Sequence, residues 1–149
     1  MQVASVLLTT IVHATEDTGK VISALEHVCP PDLFPWKLDI RRVKGHYGNE
    51  ITTLASHIRG RLAESFFNYL LTRLSALDRS TLERDIDSHI DDEERLHLRV
   101  DKQASSRRIL QLARQDPIKI QLTLKKVSNP KFSVNDEIRR LLESPPPSS

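Results

Sequence analysis

Lysine and arginine side chains recur at alternate positions in three segments whose other residues are mostly aliphatic. Lys119 and Lys125 alternate with Ile118, Ile120, Leu122 and Leu124, and the segments around Arg99 and around Lys37 and Arg41 repeat the pattern. Successive side chains of an extended chain point to opposite faces, so these cations share faces that point away from the core. Because such cations are suited to bind phosphate groups, the sequence predicts a basic sheet face that attracts a polyanion.

A polar, basic stretch directly follows the strand predicted from Leu96 to Val100. In this stretch no hydrophobic residue is larger than Ala104, and the residues that could contact an anion are Lys102, Gln103, Arg107 and Arg108. We expect the strand to lie at the centre of the sheet. The turn that follows it should then lie on the surface, beside the solvent-exposed face of the strand.

A second candidate contact is the segment Gly45-His46-Tyr47-Gly48-Asn49, which follows Lys44. Two glycines and an asparagine permit positive φ and a tight turn, which would expose His46 and Tyr47. The GxxG spacing also occurs in KH domains, but there it joins two helices, whereas here it follows a predicted strand.

Catalytic and metal chemistry has little support in the sequence. His13, His46 and His57 have no nearby nucleophile motif, and Cys29 is the only cysteine, which excludes an internal disulfide. The run from His89 to Glu94 is acidic but lacks EF-hand spacing and glycine, so a solvated helix end is favoured over a cation site. We expect no catalytic residue, no metal site and no cofactor.

The elements that position the basic face predict an α+β open-faced sandwich, with helices on one face of a mainly antiparallel sheet. Further strands are expected at 3–13, at 36–43 with a bulge at Arg41 and Arg42, at 51–60, and as a short piece at Leu110 and Leu112. The segment 51–60 also has apolar residues at helical spacing, although its β-branched start favours a strand. Helices are expected after a Thr15 cap, from Leu62 to Leu77, after a capping box of Ser80 and Glu83, and after a Ser133 cap.

The chain has 149 residues, of which 38% are hydrophobic, enough for one domain. We expect a single domain over 1–143 and a disordered Pro/Ser tail over 144–149. The first residues read as a strand and not as a signal peptide, and no apolar run is long enough to span a membrane. A cytoplasmic protein is therefore expected.

Charge is unevenly distributed along the chain. Residues 35–61 carry six Lys or Arg against two Asp or Glu, residues 99–126 carry eight against two, and residues 78–95 carry three against eight. A basic face favours polyanions, whereas the acidic segment 78–94 could dock on a basic protein partner. Both possibilities stay open on charge alone.

Three short motifs occur in the chain: His13-Ala14-Thr15-Glu16-Asp17, the glycine turn from Gly45 to Asn49, and the stretch from Leu98 to Ala104 ending in Asp-Lys-Gln-Ala. In this order they resemble an archaeal family of predicted exosome subunits and RNA-binding proteins. The resemblance spans residues 1 to about 127, and it implies a fold like that of the ribosomal protein that binds 5S ribosomal RNA. Where this family has an aromatic residue and a glycine after that last motif, the chain has Ser105, Ser106, Arg107 and Arg108, which favours phosphate contact over base stacking.

These observations together predict a non-catalytic RNA-binding protein that prefers structured or double-stranded RNA, acting in RNA processing, on the exosome or in ribosome-related work. The expected RNA contacts are Lys37, Arg41, Lys44, His46, Tyr47, Arg99, Lys102, Gln103, Arg107, Arg108, Lys119 and Lys125. The alternative is a protein-protein interaction subunit that docks through segment 78–94.

Overall fold

A computed structural model of the chain describes residues 2–31, 33, 37–45, 47–125 and 133–143. These residues form five strands and six helices. In chain order they are β1 (Gln2–Val12), α1 (Thr18–Val28), β2 (Asp39–Lys44), β3 (Glu50–Arg59), α2 (Arg61–Arg73), α3 (Ala76–Arg84), α4 (Ile86–His89), β4 (Arg95–Asp101), α5 (Lys102–Ser106), β5 (Pro117–Lys125) and α6 (Val134–Glu143).

The strands form one antiparallel sheet in the order β2-β3-β1-β5-β4. Its centre is β1, which pairs with β3 on one side and with β5 on the other. The expectation that the strand from Leu96 to Val100 lies at the centre is wrong, because β4 is an edge strand. The alternation of apolar and polar residues in β4 indicates that one face of the strand is buried, but it does not indicate how many neighbouring strands pair with it.

The helices cover one face of the sheet, and the core lies between the two layers. Val6 and Leu8 of β1, Leu54 of β3 and Ile120 of β5 are buried there, against a stripe on α2 that includes Phe66. Among the described residues, the opposite face of the sheet is open. This arrangement confirms the predicted α+β open-faced sandwich.

Two helix starts differ from the sequence prediction. The first helix is capped by Asp17, whose carboxylate accepts a hydrogen bond from the Lys20 amide, and not by Thr15. The α3 helix starts after Ser75, whose hydroxyl accepts from the Asp78 amide, so Ser80 lies inside a helix and forms no capping box. In both cases a competing cap residue close by satisfies the free amides of the first turn.

The main helix is also shorter than its apolar stripe suggested. It ends at Arg73, and Leu77 belongs to the next helix, where its side chain is exposed. The start of the last helix agrees with prediction, since the Ser133 hydroxyl accepts from the Asp136 amide.

The strand expected at residues 51–60 is confirmed as β3. The bulge expected at Arg41 and Arg42 is not present, since β2 pairs with β3 in unbroken register from Asp39 to Lys44. The short strand expected near Leu112 is reduced to a single bridge between Leu112 and Val100. The tail 144–149 lies outside the described residues, as do Phe34, Trp36, His46 and Phe132.

Among the helices of the described residues, none is long and apolar enough to cross a membrane.

Candidate nucleic-acid interface

The pairing of the strands places the alternating cations side by side on the open face of the sheet. Arg99 of β4 lies opposite Lys119 of β5, Lys119 opposite Thr9 of β1, and Thr9 opposite Ala55 of β3. Directly opposed residues of antiparallel strands point to the same face, so these four side chains form one row across the sheet. The polar residues that the register places on this face are Asp39, Arg41, His97, Arg99, Lys119, Gln121 and Thr123, and Lys125 continues their alternation.

Two cationic flanks border an uncharged centre on this face. The centre is β1, which presents Ser5, Leu7, Thr9 and Ile11 outward, as their partners in the register show. One flank is formed by β4 and β5, and the other by β2 and β3. Three strand spacings separate β4 from β3, about 14 Å in all. The face is therefore a shallow surface with positive charge along both sides.

Three cationic side chains of this face have no ion-pair or hydrogen-bond partner among the described residues, namely those of Arg41, Arg99 and Lys119. Other arginines of the chain do have carboxylate partners within 4 Å: Arg42 with Glu50, Arg84 with Asp85, Arg95 with Asp91, and Arg139 with Asp87. Moreover, Arg99 and Lys119 are directly opposed in the sheet, an arrangement of like charges that costs stability. An external anion between them would remove that cost.

One cation and one imidazole on this face were missed in the sequence. His57 and Arg59 point outward from β3, opposite Leu7 and Ser5, and Arg59 Nη2 lies 3.1 Å from His57 Nδ1. Both residues alternate with Ser56 and Ile58, which are buried, and this alternation could have predicted their outward orientation. The helical spacing of other apolar residues in the same segment obscured it.

Asp91 fixes the outer side chains at the start of β4. Its Oδ2 lies 2.7 Å from His97 Nε2 and accepts a hydrogen bond from Arg95 Nε at 2.8 Å. The bond with His97, followed by the amides and guanidinium around it, holds the pKa of Asp91 well below its usual range. Asp91 is thus part of an ordered turn after α4 and not a freely solvated helix end.

Lys102 is not part of the exposed surface, contrary to expectation. Only 2% of its side chain is exposed, and its ammonium donates to the Ile11 carbonyl at 2.7 Å and to Glu16 Oε1 at 2.9 Å, and lies 2.9 Å from Asp116 Oδ1. A buried ammonium with three such acceptors does not reach a phosphate on the surface. Its partners are 86 and more residues distant or lie in a later loop, which the local pattern could not reveal.

The first and third resembling motifs meet at this ammonium. His13 and Glu16 come from one motif and Lys102 from the other, while Asp101 caps α5 by accepting from the Ala104 amide. His13 Nε2 lies 2.9 Å from Asp116 Oδ1. Burial opposes ionisation of Asp116, but hydrogen bonds to Lys102 and His13 outweigh it and lower the pKa of that carboxyl. His13, Glu16 and Asp116 are close enough to bind a cation together, but the ammonium already supplies the positive charge.

The rest of the predicted basic turn lies in the helix layer and not beside the open face. Gln103 lines a cavity together with Lys20 of α1, and Arg108 lines one with Tyr69 and Arg73 of α2. The Arg108 carbonyl also accepts from Arg73 Nη2 at 3.0 Å. Arg107, the C-cap of α5, is exposed at the same end of the molecule. The turn and the sheet face are therefore separate basic surfaces.

The remaining predicted contacts lie at the margins of the face. Lys37 is exposed just before β2, and Lys125 is exposed at the end of β5. Lys44 alternates with Val43, so it points to the helix side at an edge of the sheet. Tyr47, at the tip of the β2–β3 turn, is 88% exposed.

The acidic segment 78–94 is largely engaged within the chain. Asp78 accepts from the Leu112 amide at 3.0 Å, Asp85 pairs with Arg84, and Asp87 accepts from Asn135 at 2.7 Å. These internal contacts leave less free negative charge for a basic partner than the sequence suggested.

Comparison with known proteins identifies the family of this chain. A family model described as RNA binding matches residues 5–124. The chain is 31% identical over 103 residues to an uncharacterized protein of Methanocaldococcus jannaschii, covering 66% of this chain and 68% of that protein. It is 27% identical over 147 residues to a Pyrococcus abyssi protein named as RNA-binding, covering 96% of each. The crystal structure of a DUF54 protein from Sulfolobus solfataricus matches with a TM-score of 0.78 at 27% identity, covering 94% of this chain and 98% of that one. The chain belongs to the RNA-binding family that this model describes.

Proposed function

We propose that this protein binds structured RNA through the open face of its sheet, without catalysing a reaction. The observation that carries the proposal is the opposed pair of Arg99 and Lys119, two cations with no acidic partner in the described part of the chain. A phosphate between them would replace a repulsion with two charge-assisted contacts. Family membership and the name of the Pyrococcus abyssi relative support RNA as the polyanion.

The shape of the face favours a double helix over a single strand. Cations on two flanks about 14 Å apart could contact phosphates of both strands across the wide, shallow minor groove of A-form RNA. The hydroxyl and amide groups beside these cations, on Ser5, Thr9, Gln121 and Thr123, suit 2′-hydroxyls. These contacts read shape and not base sequence.

The aromatic side chains of the described residues do not form a stacking surface on this face. Phe66 and Phe67 are buried in the core, and Tyr69 lies under the Arg73 guanidinium in the helix layer. Tyr47, at the rim, is the one that an extended base could reach. Sequence-selective recognition of single strands, which relies on stacking, is therefore not expected.

Salt dependence of binding to an RNA hairpin tests the phosphate contacts. Replacing either Arg99 or Lys119 by alanine should reduce the slope of log affinity against log salt, and replacing both should reduce it by about 0.7–0.9, the contribution of the one phosphate that the pair shares. Arg84→Ala is the matched control, because Arg84 is an exposed arginine that pairs with Asp85 on the helix side. An unchanged slope in both sheet variants would contradict the proposed interface.

A comparison of RNA forms tests the preference for structure. At one salt concentration the hairpin should bind more tightly than an unstructured strand of equal length. Sequence-selective binding to a single strand that is lost in Tyr47→Ala would instead place the interface at the β2–β3 turn.

The same RNA hairpin tests whether the protein cleaves RNA. Glu16 and Asp116, the two carboxylates of the metal-like cluster found among the described residues, are already paired with Lys102. The purified chain should therefore leave the hairpin intact in the presence of Mg²⁺. Divalent-dependent cleavage that survives purification would contradict this.

An accessory role in RNA processing is the finer proposal. A binding surface without a catalytic centre is suited to holding RNA for another factor, and the three sequence motifs support the exosome or the ribosome as the assembly. Co-purification with and without ribonuclease treatment tests whether such an association exists and whether RNA bridges it.

A further inference from the structure

A cavity of about 460 Å³ opens beside the edge strand of the candidate interface. Its wall includes His97 and Arg99 of β4, Thr81 of α3, Ser88 of α4, and Leu112 and Arg114 of the segment that follows α5. The volume is within the range of small-molecule sites. Because Arg99 belongs both to this wall and to the open face, the cavity is continuous with the proposed RNA surface.

The cavity exists because the edge of β4 is only partly covered. Ile90 forms a bridge to Leu96 near one end of the strand, and Leu112 forms a bridge to Val100 near the other. Between these bridges the Arg99 carbonyl accepts from the Ala113 amide, whereas His97 and Leu98 have no strand partner on this side among the described residues. The helices α3 and α4 close the back, with His89 Nδ1 placed 3.0 Å from the His97 carbonyl oxygen.

The chemistry of the wall suits a nucleobase better than a phosphate. Cations at Arg99 and Arg114 are accompanied by carboxylates at Asp78 and Asp85, which would repel a phosphate that entered fully. A site for a base needs protein donors and acceptors that face the edge of the base, and an apolar or cationic group that stacks on its ring. Leu112 supplies apolar surface, the hydroxyls of Thr81 and Ser88 supply polar groups, and the Arg99 guanidinium supplies a plane.

We propose that this cavity receives one nucleotide extruded from an RNA helix bound on the open face. The inference rests on the proposed RNA-binding function and names the feature of RNA that the protein selects, a single-nucleotide bulge beside a duplex. A bulged nucleotide is already unpaired, so placing its base in a cavity costs less than flipping a paired base. Its base gains stacking on Arg99, and its phosphates stay near the cationic flank.

Two hairpins that differ by one bulged nucleotide test the proposal. The bulged hairpin should bind wild-type protein about tenfold more tightly than the fully paired hairpin at the same salt. Ser88→Trp, which places a large ring in the cavity from an exposed position, should abolish that advantage and leave the affinity for the paired hairpin unchanged. Ser80→Trp is the matched control on the exposed side of α3, and it should keep the advantage.

Arg114→Ala provides a second variant that does not depend on tolerance of a tryptophan, and it should reduce the preference for the bulge. Equal affinity of wild-type protein for both hairpins would overturn the bulge proposal while leaving the RNA-binding proposal intact. Failure to bind either hairpin would overturn both. Retention of the full preference in both Ser88→Trp and Arg114→Ala would show that the bulge is recognised elsewhere, which also overturns the assignment to this cavity.

Discussion

Replacing Lys102 by methionine separates a structural lysine from a lysine that binds phosphate. The substitution keeps most of the apolar stem but removes the ammonium that contacts Ile11, Glu16 and Asp116. We expect it to lower the free energy of unfolding and to leave the salt dependence of RNA binding unchanged. Arg99→Ala should do the reverse.

The size of the effect follows from the exposure of the partners. Breaking a fully buried ion pair costs about 3–5 kcal/mol, because an uncompensated charge remains inside. Here 43% of the Asp116 side chain and 19% of the Glu16 side chain are exposed, so water can partly replace the ammonium. A loss of about 2–4 kcal/mol is therefore expected. For a chain of this length it corresponds to a decrease in Tm of about 6–15 °C.

Urea unfolding monitored by circular dichroism measures this loss, and a double-mutant cycle identifies its origin. Glu16→Gln in the Lys102→Met background removes one stranded carboxylate, so the double variant should be more stable than the sum of the single effects predicts. The reasoning is refuted if Lys102→Met is as stable as wild type and also reduces the salt slope for RNA by about one unit.

Three further predictions concern other parts of the fold. Because the folded pKa of Asp91 is depressed, its contribution to stability is present above the unfolded pKa of about 3.9 and is lost as pH falls. The free energy of unfolding in urea, measured at a series of pH values, should therefore fall more steeply below about pH 5 in wild type than in Asp91→Asn. Parallel curves for the two proteins would contradict this role of Asp91. Gly60 has φ 69° and ψ −139°, and an added Cβ meets no atom within 4 Å, so Gly60→Ala should cost about 1–3 kcal/mol through backbone strain alone, and an unchanged urea midpoint would contradict this. Burial, followed by the charge of Glu26, raises the pKa of the Cys29 thiol to about 12, so a disulfide reagent at pH 8 should react only after unfolding, and rapid labelling of the native protein would show that this side chain is accessible.

Local patterns in the sequence were sufficient for the faces of the strands. Alternation at Leu96–Val100 and at Ile118–Leu124 determines which side chains point outward, because the period of a strand is two residues wherever the strand lies. The register then brings Arg99 and Lys119 together as opposed residues. The basic face could be predicted for this reason.

Strand order and buried partners could not be predicted in the same way. Nothing in the alternation of β4 distinguishes an edge strand from a central strand, since both of them bury one face against the helices. The role of Lys102 depends on acceptors at Ile11 and Glu16, 91 and 86 residues away. A polar stretch that looks like a surface turn can therefore contain a buried ion pair.

The central position of β1 has a consequence for how the chain acquires its fold. Its two neighbours in the sheet are β3, from residue 50, and β5, from residue 117, so one edge of this apolar strand stays unpaired until most of the chain has been synthesised. Contacts between residues so distant in sequence form slowly, and an unpaired apolar edge can associate with other chains in the meantime. During synthesis the nascent chain therefore passes through a long interval in which its first strand is exposed to aggregation, and β5 ends that interval by taking its place between β1 and β4.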